Sequence, residues 1–384
     1  MEKKKIMVIF GTRPEATKMC PVVQELRRYP EWFETKVVVT GQHREQLHQP
    51  LSHFGIVPDV DLNLMKDNQT LAYFTSAAIV GLDQAIAEDK PDMILVHGDT
   101  QTALCGSLAA FFHQIPVGHI EAGLRSHNKW SPWPEEVNRR MVDVVTDVLF
   151  APTQVGRNNL LSEGYDAHSI YVTGQTAVDA AILTNQSEYT FQNDSLNRLI
   201  EHPGRIVTMT AHRRENVGTP MKQMFRAIRR LVDDHPDVRV IYPVHLSPGV
   251  REIAFPMLSG HDRIHLLEPI EYADMINLLS RSYLILSDSG GLQEETTVFH
   301  KPLVLMRDTT ERPEAVEANA VYLAGTEEES IYDIAASLLN DRERYLHMAS
   351  ARNPFGDGHA SERIARYLAN YFGLVGEQPE PFHG

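Results

Sequence analysis

Cysteine is nearly absent: Cys20 and Cys105 are the only two in 384 residues, too few for a disulfide framework, and no CxxC pair offers the spacing of a structural zinc site. No GxGxxG follows a strand-like run, so nothing in the sequence signals a nicotinamide or flavin cofactor. The P-loop, HExxH and GxSxG patterns are missing as well. Long hydrophobic runs are also lacking. The longest uncharged stretch, Thr100 to Ile120, is broken by Gln, Ser, Gly, His and Pro116 and does not read as a bilayer span. A net charge of -15 argues against nucleic acid or an anionic membrane as partner, yet leaves room for a local basic pocket that takes a phosphorylated small molecule. The opening "MEKKKIMVIF" has too short an apolar stretch before Arg13 and Glu15 for a signal peptide and reads as a first strand. With no secretory signal, the N-x-S/T matches at Asn68, Asn185 and Asn193 count as chance, and a cytoplasmic protein without metal or cofactor is expected.

What is present is an ordinary globular composition, 42% hydrophobic and 23% charged, over a length that predicts two domains. "KIMVIF", "ETKVVVT", "MILVHGD", "IPVGHIEAG", "DVLFAPT" and "SIYVTGQ" are buried-strand candidates separated by helical patterns. A polar stretch from Thr184 to Gly204 interrupts them. The alternation then restarts with "RIVTMT", "VRVIYPVH", "RIHLLEP", "YLILSDSG" and "KPLVLMRD", with amphipathic helices between. Strands alternating with helices predict an α/β protein of two Rossmann-like, doubly wound domains facing across a cleft. In such sheets ligands bind outside the carboxyl ends of the strands. The sequence concentrates charge and glycine there: "GTRPEATK", "HGDTQT", "EAGLR", "AHRREN", "DSGG" and "RDTTERPE" each follow a strand candidate.

Each of these stretches carries specific chemistry. In "SDSGGLQEE" two glycines allow close backbone approach, free amides at a helix start favour a phosphate, and Glu294 or Glu295 could accept both hydroxyls of a ribose. A Ser-capped helix with acidic residues in its first turn explains the stretch equally well. Arg13 and Lys18 flank the start of the first helix, and Arg13 suits a bidentate phosphate contact unless it pairs with Glu15 at the surface. His212, Arg213 and Arg214, with Arg307 and Arg312, supply further cationic groups for a diphosphate. Phosphate contacts without a P-loop or dinucleotide fingerprint point to a sugar nucleotide or similar diphosphate. Acid/base work would then fall to Asp99, Glu121, Glu135 and Glu136 in loops of the facing domain.

"FGTRPEATKMCP", "VHGDT", "PVGHIEAGLR", "SPWPEEVNRR", "HRRE", "YPVH", "LSDSGGLQEE", "MRDTTERPEAV" and "NPFGDGHASERI", collinear from about residue 5 to 370, resemble the non-hydrolysing UDP-N-acetylglucosamine 2-epimerase family. The resemblance implies a GT-B fold, with a first domain over 1–174, a UDP-binding domain over 175–358, and a C-terminal helix in 359–384 packing back on the first. It implies a cytoplasmic homodimer that acts on a UDP-sugar without a cofactor and supplies UDP-N-acetylmannosamine for cell-surface polysaccharides. By the same resemblance Asp99, Glu121 and Glu135 match catalytic carboxylates, Lys18 a lysine needed for activity, and His212 a histidine at the diphosphate. Arg13, Ser289, Gly290, Gly291, Glu295 and Arg312 match UDP contacts, with Pro269 to Tyr272 near the uracil. Gln42, Glu45, Asn68, Glu135, Arg213 and His245 fall at an activator site that bacterial members use for a second UDP-sugar.

The chain departs from the family pattern in several places. Glu45 stands where some members have Gln and Asn68 where some have Arg, which removes a cation from the activator site. Gln175 replaces a usual Asn, and "TTVFH" follows the paired glutamates where Ala-Pro-Ser-Leu-Gly is usual. Rival readings are an epimerase for a modified UDP-sugar, a sibling that releases free N-acetylmannosamine, a GT-B glycosyltransferase and a UDP-sugar sensor. The dense carboxylate set argues against the last two.

Overall fold

The computed structural model describes residues 2–41, 44–66 and 69–384, with the backbone alone for 44–46. The chain divides into two compact units, Met1–Ala180 together with Phe355–Gly384, and Ala181–Pro354. The crossings thus fall at Ala180 and Pro354, where the sequence reading placed boundaries at 174 and 358, and the helix Thr176–Thr184 straddles the first.

The first unit is built on seven parallel strands: β1 (Lys4–Phe10), β2 (Phe33–Val39), β3 (Val60–Asp61), β4 (Met93–His97), β5 (Val117–Ile120), β6 (Val148–Ala151) and β7 (Ile170–Val172), in the order β3-β2-β1-β4-β5-β6-β7. The central strands are buried throughout, as expected of a parallel sheet covered by helices on both faces. Val8 of β1 lies opposite both Val37 and Leu95, fixing the register at the centre. Met7, Ile9, Val38, Ile94 and Val96 pack with Phe74, Leu82 and Ala103 from the helices Leu71–Asp89 and Gln101–Phe112.

The second unit repeats the plan with β8 (Arg205–Thr210), β9 (Val238–Pro243), β10 (Ile264–Leu267), β11 (Leu284–Ser287), β12 (Leu303–Leu305) and β13 (Val321–Leu323), ordered β10-β9-β8-β11-β12-β13. The helix Thr219–Asp234 shows why its sequence is helical. Met221, Met224, Phe225, Ile228, Leu231 and Val232 recur on one face, and all are buried against Val207, Met209 and Leu286. Both units are therefore doubly wound α/β sheets, as the sequence predicts. The edge strands β3 and β13 differ from the expectation; at two and three residues they are too short to show a strand pattern.

Strand order reverses between β1 and β4 in one sheet and between β8 and β11 in the other, the switch points where such folds hold ligands. The last helix, Ala360–Tyr371, belongs to the first unit and packs on the helix Arg13–Arg27. Its N-terminus has no cap from His359. The Asp179 carboxylate serves instead, accepting the N–H groups of Ala360 (3.2 Å) and Ser361 (2.6 Å). Beyond the helix, the Phe382 N–H donates to the Val172 carbonyl at 2.9 Å, covering the edge of β7. Among the described residues, no helix is long and apolar enough to cross a membrane.

Candidate active site

In the first unit the site grows from the turn after β1. Thr12 caps the helix Arg13–Arg27, and Glu15 reciprocates, its Oε2 accepting from Gly11 N (3.0 Å) and Thr12 N (2.8 Å). The Thr100 hydroxyl donates to Glu15 Oε1 at 2.7 Å, tying this turn to the one after β4. Burial pushes the Glu15 carboxyl up to about 7, with the bonds from Thr100, Thr12 and Gly11 pulling against it. Glu15 is thus a buried cap and no surface partner for Arg13, which stands exposed; the pairing considered from sequence is not formed because both carboxylate oxygens face inward. Gly11 cannot be replaced without a shift, since a Cβ there would lie 2.0 Å from Thr40 Oγ1.

One turn along the same helix, Lys18 Nζ forms an ion pair with Glu121 Oε1, and the two side chains are only 16% and 8% exposed. Glu121 is the first residue after β5 and sits at φ +71°, a region that costs a non-glycine residue roughly 1–3 kcal/mol. Two neighbours without an assigned role in the sequence lie against it. Gln175 Nε2 donates to Glu121 Oε1 at 2.5 Å, and His97 Nε2 lies 3.9 Å from Glu121 Oε2. His97 closes β4 and is buried; that burial lowers its pKa to about 4, so the ring is neutral. Its Nε2 has no hydrogen-bond partner among the described residues.

Asp99, two residues beyond His97, pairs with Arg139, whose Nη1 also reaches Glu136 Oε2 at 3.2 Å. Arg139 lies on the helix Glu135–Val144, which begins with the two glutamates of "PWPEE". They have different settings. Glu136 is buried and accepts the backbone N–H groups of Ser126 (3.0 Å) and His127 (3.1 Å), so it shapes the loop. Glu135 is half-buried, and its carboxylate has no hydrogen-bond or ion-pair partner among the described residues. Behind them His119 spans Asp143 (2.6 Å) and the Gly98 carbonyl (2.8 Å), and Asp143 in turn pairs with Arg125 at 2.7 Å. That buried chain fixes the turn carrying Asp99.

In the second unit, Asp288 organises the site. It follows β11 directly, is fully buried, and accepts from His212 N (3.0 Å), Arg213 N (2.9 Å) and Asn216 Nδ2 (3.0 Å), shaping the turn after β8. His212 stacks on His245, ring centroids 5.6 Å apart, and its Nδ1 lies 3.4 Å from Asp288 Oδ1. Desolvation holds the His212 pKa below the usual histidine value, opposed by Asp288 and aided by His245 and Arg213. Gly290 lies beneath two guanidiniums: a Cβ there would be 3.1 Å from Arg312 Nη1 and 3.2 Å from Arg213 Nη2. Arg312 is held by Glu294 at 2.5 Å and Arg307 by Glu311 at 2.9 Å. Glu295 is half-buried near Tyr272, whose hydroxyl pKa is raised by burial and by the Glu295 charge.

The helix after the paired glycines is short, Leu292–Thr296, and Ser289 does not cap it; the Ser289 N–H goes back to Ser287 Oγ at 2.9 Å, and Gly291 is exposed. The cationic face at Gly290 therefore comes from side chains. Of the residues matched to an activator site, Gln42 and Asn68 lie outside the described residues, as does the Glu45 side chain, while Arg213 and His245 stand with His212.

Two doubly wound parallel sheets, each with its polar groups gathered at the switch point, define a GT-B enzyme fold. Residues 24–369 match the family profile described as UDP-N-acetylglucosamine 2-epimerase. The UDP-N-acetylglucosamine 2-epimerase of Bacillus subtilis (strain 168) is 52% identical over 384 residues, covering 100% of both chains. Among solved structures, the S. aureus MnaA–UDP complex superposes with a TM-score of 0.88 at 49% identity, covering 99% of this chain and 100% of that one. The Neisseria meningitidis UDP-GlcNAc 2-epimerase bound to UDP-GlcNAc gives a TM-score of 0.86 at 44% identity, covering 95% and 100%. The chain belongs to the UDP-N-acetylglucosamine 2-epimerase family, a family of isomerases.

Proposed function

We propose that this chain interconverts UDP-N-acetylglucosamine and UDP-N-acetylmannosamine without hydrolysis, by eliminating UDP and adding it back. The observation that carries the reading is Glu121, a carboxylate held between Lys18 and Gln175 on a positive-φ residue at a strand end. Carbon 2 is not next to a carbonyl, so its proton is too weakly acidic to be taken directly. As the C1–O bond breaks, positive charge builds at carbon 1 and acidifies that proton. A carboxylate takes the proton, the C2–H electrons form the C1–C2 double bond, and UDP leaves with the C1–O pair. The products are 2-acetamidoglucal and UDP. UDP then re-adds at carbon 1 while a proton arrives on the opposite face of carbon 2.

Two faces require at least two acid/base groups, and Asp99, Glu121 and Glu135 are the candidates, with Lys18 holding Glu121 in place. His212, Arg213 and Arg312 are suited to hold the diphosphate and stabilise it as leaving group, with Arg13, Ser289 and Glu295 as further UDP contacts. The product would feed cell-surface polysaccharide synthesis in the cytoplasm. A homodimer is supported by the exposed side chains of Phe111 (58% exposed), Phe112 (62%) and Val144 (73%), which line one hollow of the first unit together with Ile115, Pro116 and the polar Gln114, Thr146 and Asp147.

Proton NMR of the protein with UDP-N-acetylglucosamine in deuterated water tests the reading. The expected result is UDP-N-acetylmannosamine carrying deuterium at carbon 2. Free N-acetylmannosamine with UDP would replace it by the hydrolysing reaction. No turnover despite UDP binding would move the substrate to a modified sugar.

A further inference from the structure

Gln175 is 2% exposed and lies between β7 and the helix Thr176–Thr184. A buried carboxamide needs partners, but any carbonyl or hydroxyl could serve. Here the partner is the carboxylate to which the proposed chemistry is assigned: Gln175 Nε2 donates to Glu121 Oε1 at 2.5 Å, on the oxygen that also meets Lys18. One oxygen gripped by donors from two elements fixes the carboxylate plane, turning Oε2 towards His97 and Gly98. The main-chain N–H of Gln175 donates to the Phe355 carbonyl at 2.6 Å, where the chain re-enters the first unit. The same residue thus links Glu121 to the segment of that return.

We propose that Gln175 is a positioning residue for the epimerase reaction: its carboxamide, anchored at the chain crossing, sets the orientation of the Glu121 carboxylate for proton transfer at carbon 2. A carboxamide suits that task because its N–H is a donor at every pH and does not compete for the proton being moved. A carboxylate at this position would share a proton with Glu121. Among the described residues, the charged or titratable groups facing Glu121 from other elements include Lys18 and His97, with Asp99 two residues beyond His97.

The inference rests on the epimerase reading, and the two fail separately: a wild-type protein that leaves UDP-N-acetylglucosamine unchanged defeats the reading, whereas the inference is judged by variants of an active wild type. Gln175→Met keeps the volume and removes the donor. It should lower kcat about tenfold, the usual scale for losing a hydrogen bond to a charged group, with KM for UDP-N-acetylglucosamine within about twofold. Gln175→Glu should be more impaired at neutral pH and recover as pH is lowered, because only its protonated form can donate to Glu121. That pH response is one that loss of packing alone would not produce, and it stands if Gln175→Met does not fold. A wild-type kcat in Gln175→Met, or equal losses in both variants at every pH that track a fall in Tm, would overturn the proposal.

Discussion

Four acidic residues of the first unit, Asp99, Glu121, Glu135 and Glu136, each have their own setting, and the settings separate roles that side-chain type alone leaves equal. Glu136 is spent on backbone amides, Asp99 on Arg139, Glu121 on Lys18 and Gln175, and Glu135 projects without a partner among the described residues. Replacing Glu121 by Gln removes the charge while keeping the shape. Steady-state assays should show kcat lower by about 10²–10⁴, the range for losing a positioned acid or base; a loss under threefold would move the proton transfer to another group. Glu15 makes a different prediction. Its folded pKa of about 7 exceeds the ordinary 4.5, so the folded state holds the proton more tightly. Its contribution to stability is fully present below pH 4.5 and is lost as pH rises through about 7. A Gln at this position can still accept from Gly11 and Thr12 and can donate to Thr100, with nothing to ionise. Glu15→Gln should therefore raise Tm relative to wild type above about pH 8 and not near pH 5. Thermal melts at the two pH values decide it, and a Tm below wild type at the higher pH would show that the ionised cap stabilises the fold.

The elements explain how much was legible beforehand. Loops rich in charge and glycine could be placed at the carboxyl ends of strands from sequence because a parallel sheet brings every strand's carboxyl end to one edge. "GTRPEATK" after β1, "GDTQT" after β4, "HRREN" after β8 and "DSGG" after β11 all fall beside a switch point. What stayed hidden depended on tertiary neighbours. Nothing in "LSDSGG" distinguishes the anchoring Asp288 from a solvated aspartate, and His97 reads as a polar strand end until its burial is seen. Gln175 drew notice only as a departure from the family pattern, and its contact with Glu121 joins residues 54 apart in sequence. The paired glycines, Arg213 and Arg312 are all phosphate-site candidates from sequence, but that the two guanidiniums lie over Gly290 is not legible there: they arrive from the turns after β8 and β12. Gly290→Ala tests that arrangement. A methyl at 3.1–3.2 Å from two guanidinium nitrogens asks flexible side-chain ends to yield by a few tenths of an ångström, so Tm should hardly change. UDP affinity measured by calorimetry should fall about tenfold, as expected when a charge-assisted contact is displaced. Unchanged affinity would place the diphosphate away from Gly290.

Over the whole molecule, an acidic chain of net charge -15 places two guanidiniums, Arg213 and Arg312, over Gly290 in the second unit and the ion-paired carboxylate of Glu121 at a strand end of the first. The exposed apolar side chains of Phe111, Phe112 and Val144 make the proposed homodimer testable: Val144→Glu places a charge among them and should halve the mass seen by light scattering, while a wild-type monomer would remove the dimer from the proposal. The distribution of charge makes a stronger claim about labour. If the second unit supplies the grip on UDP and the first the proton transfers, binding and turnover should separate by unit. Arg312→Ala and His212→Ala should each weaken UDP binding about tenfold or more, because a desolvated diphosphate loses a charged partner. Glu121→Gln should leave UDP affinity within about twofold, since a carboxylate acting on the sugar contributes nothing to a free nucleotide diphosphate, while the same variant loses turnover. Calorimetric titration with UDP, set beside kcat for the same three proteins, gives the answer. A Glu121→Gln variant that binds UDP tenfold more weakly would mean that the first unit also grips the nucleotide. An Arg312→Ala variant with wild-type affinity would remove the second unit's cationic turn from the UDP site.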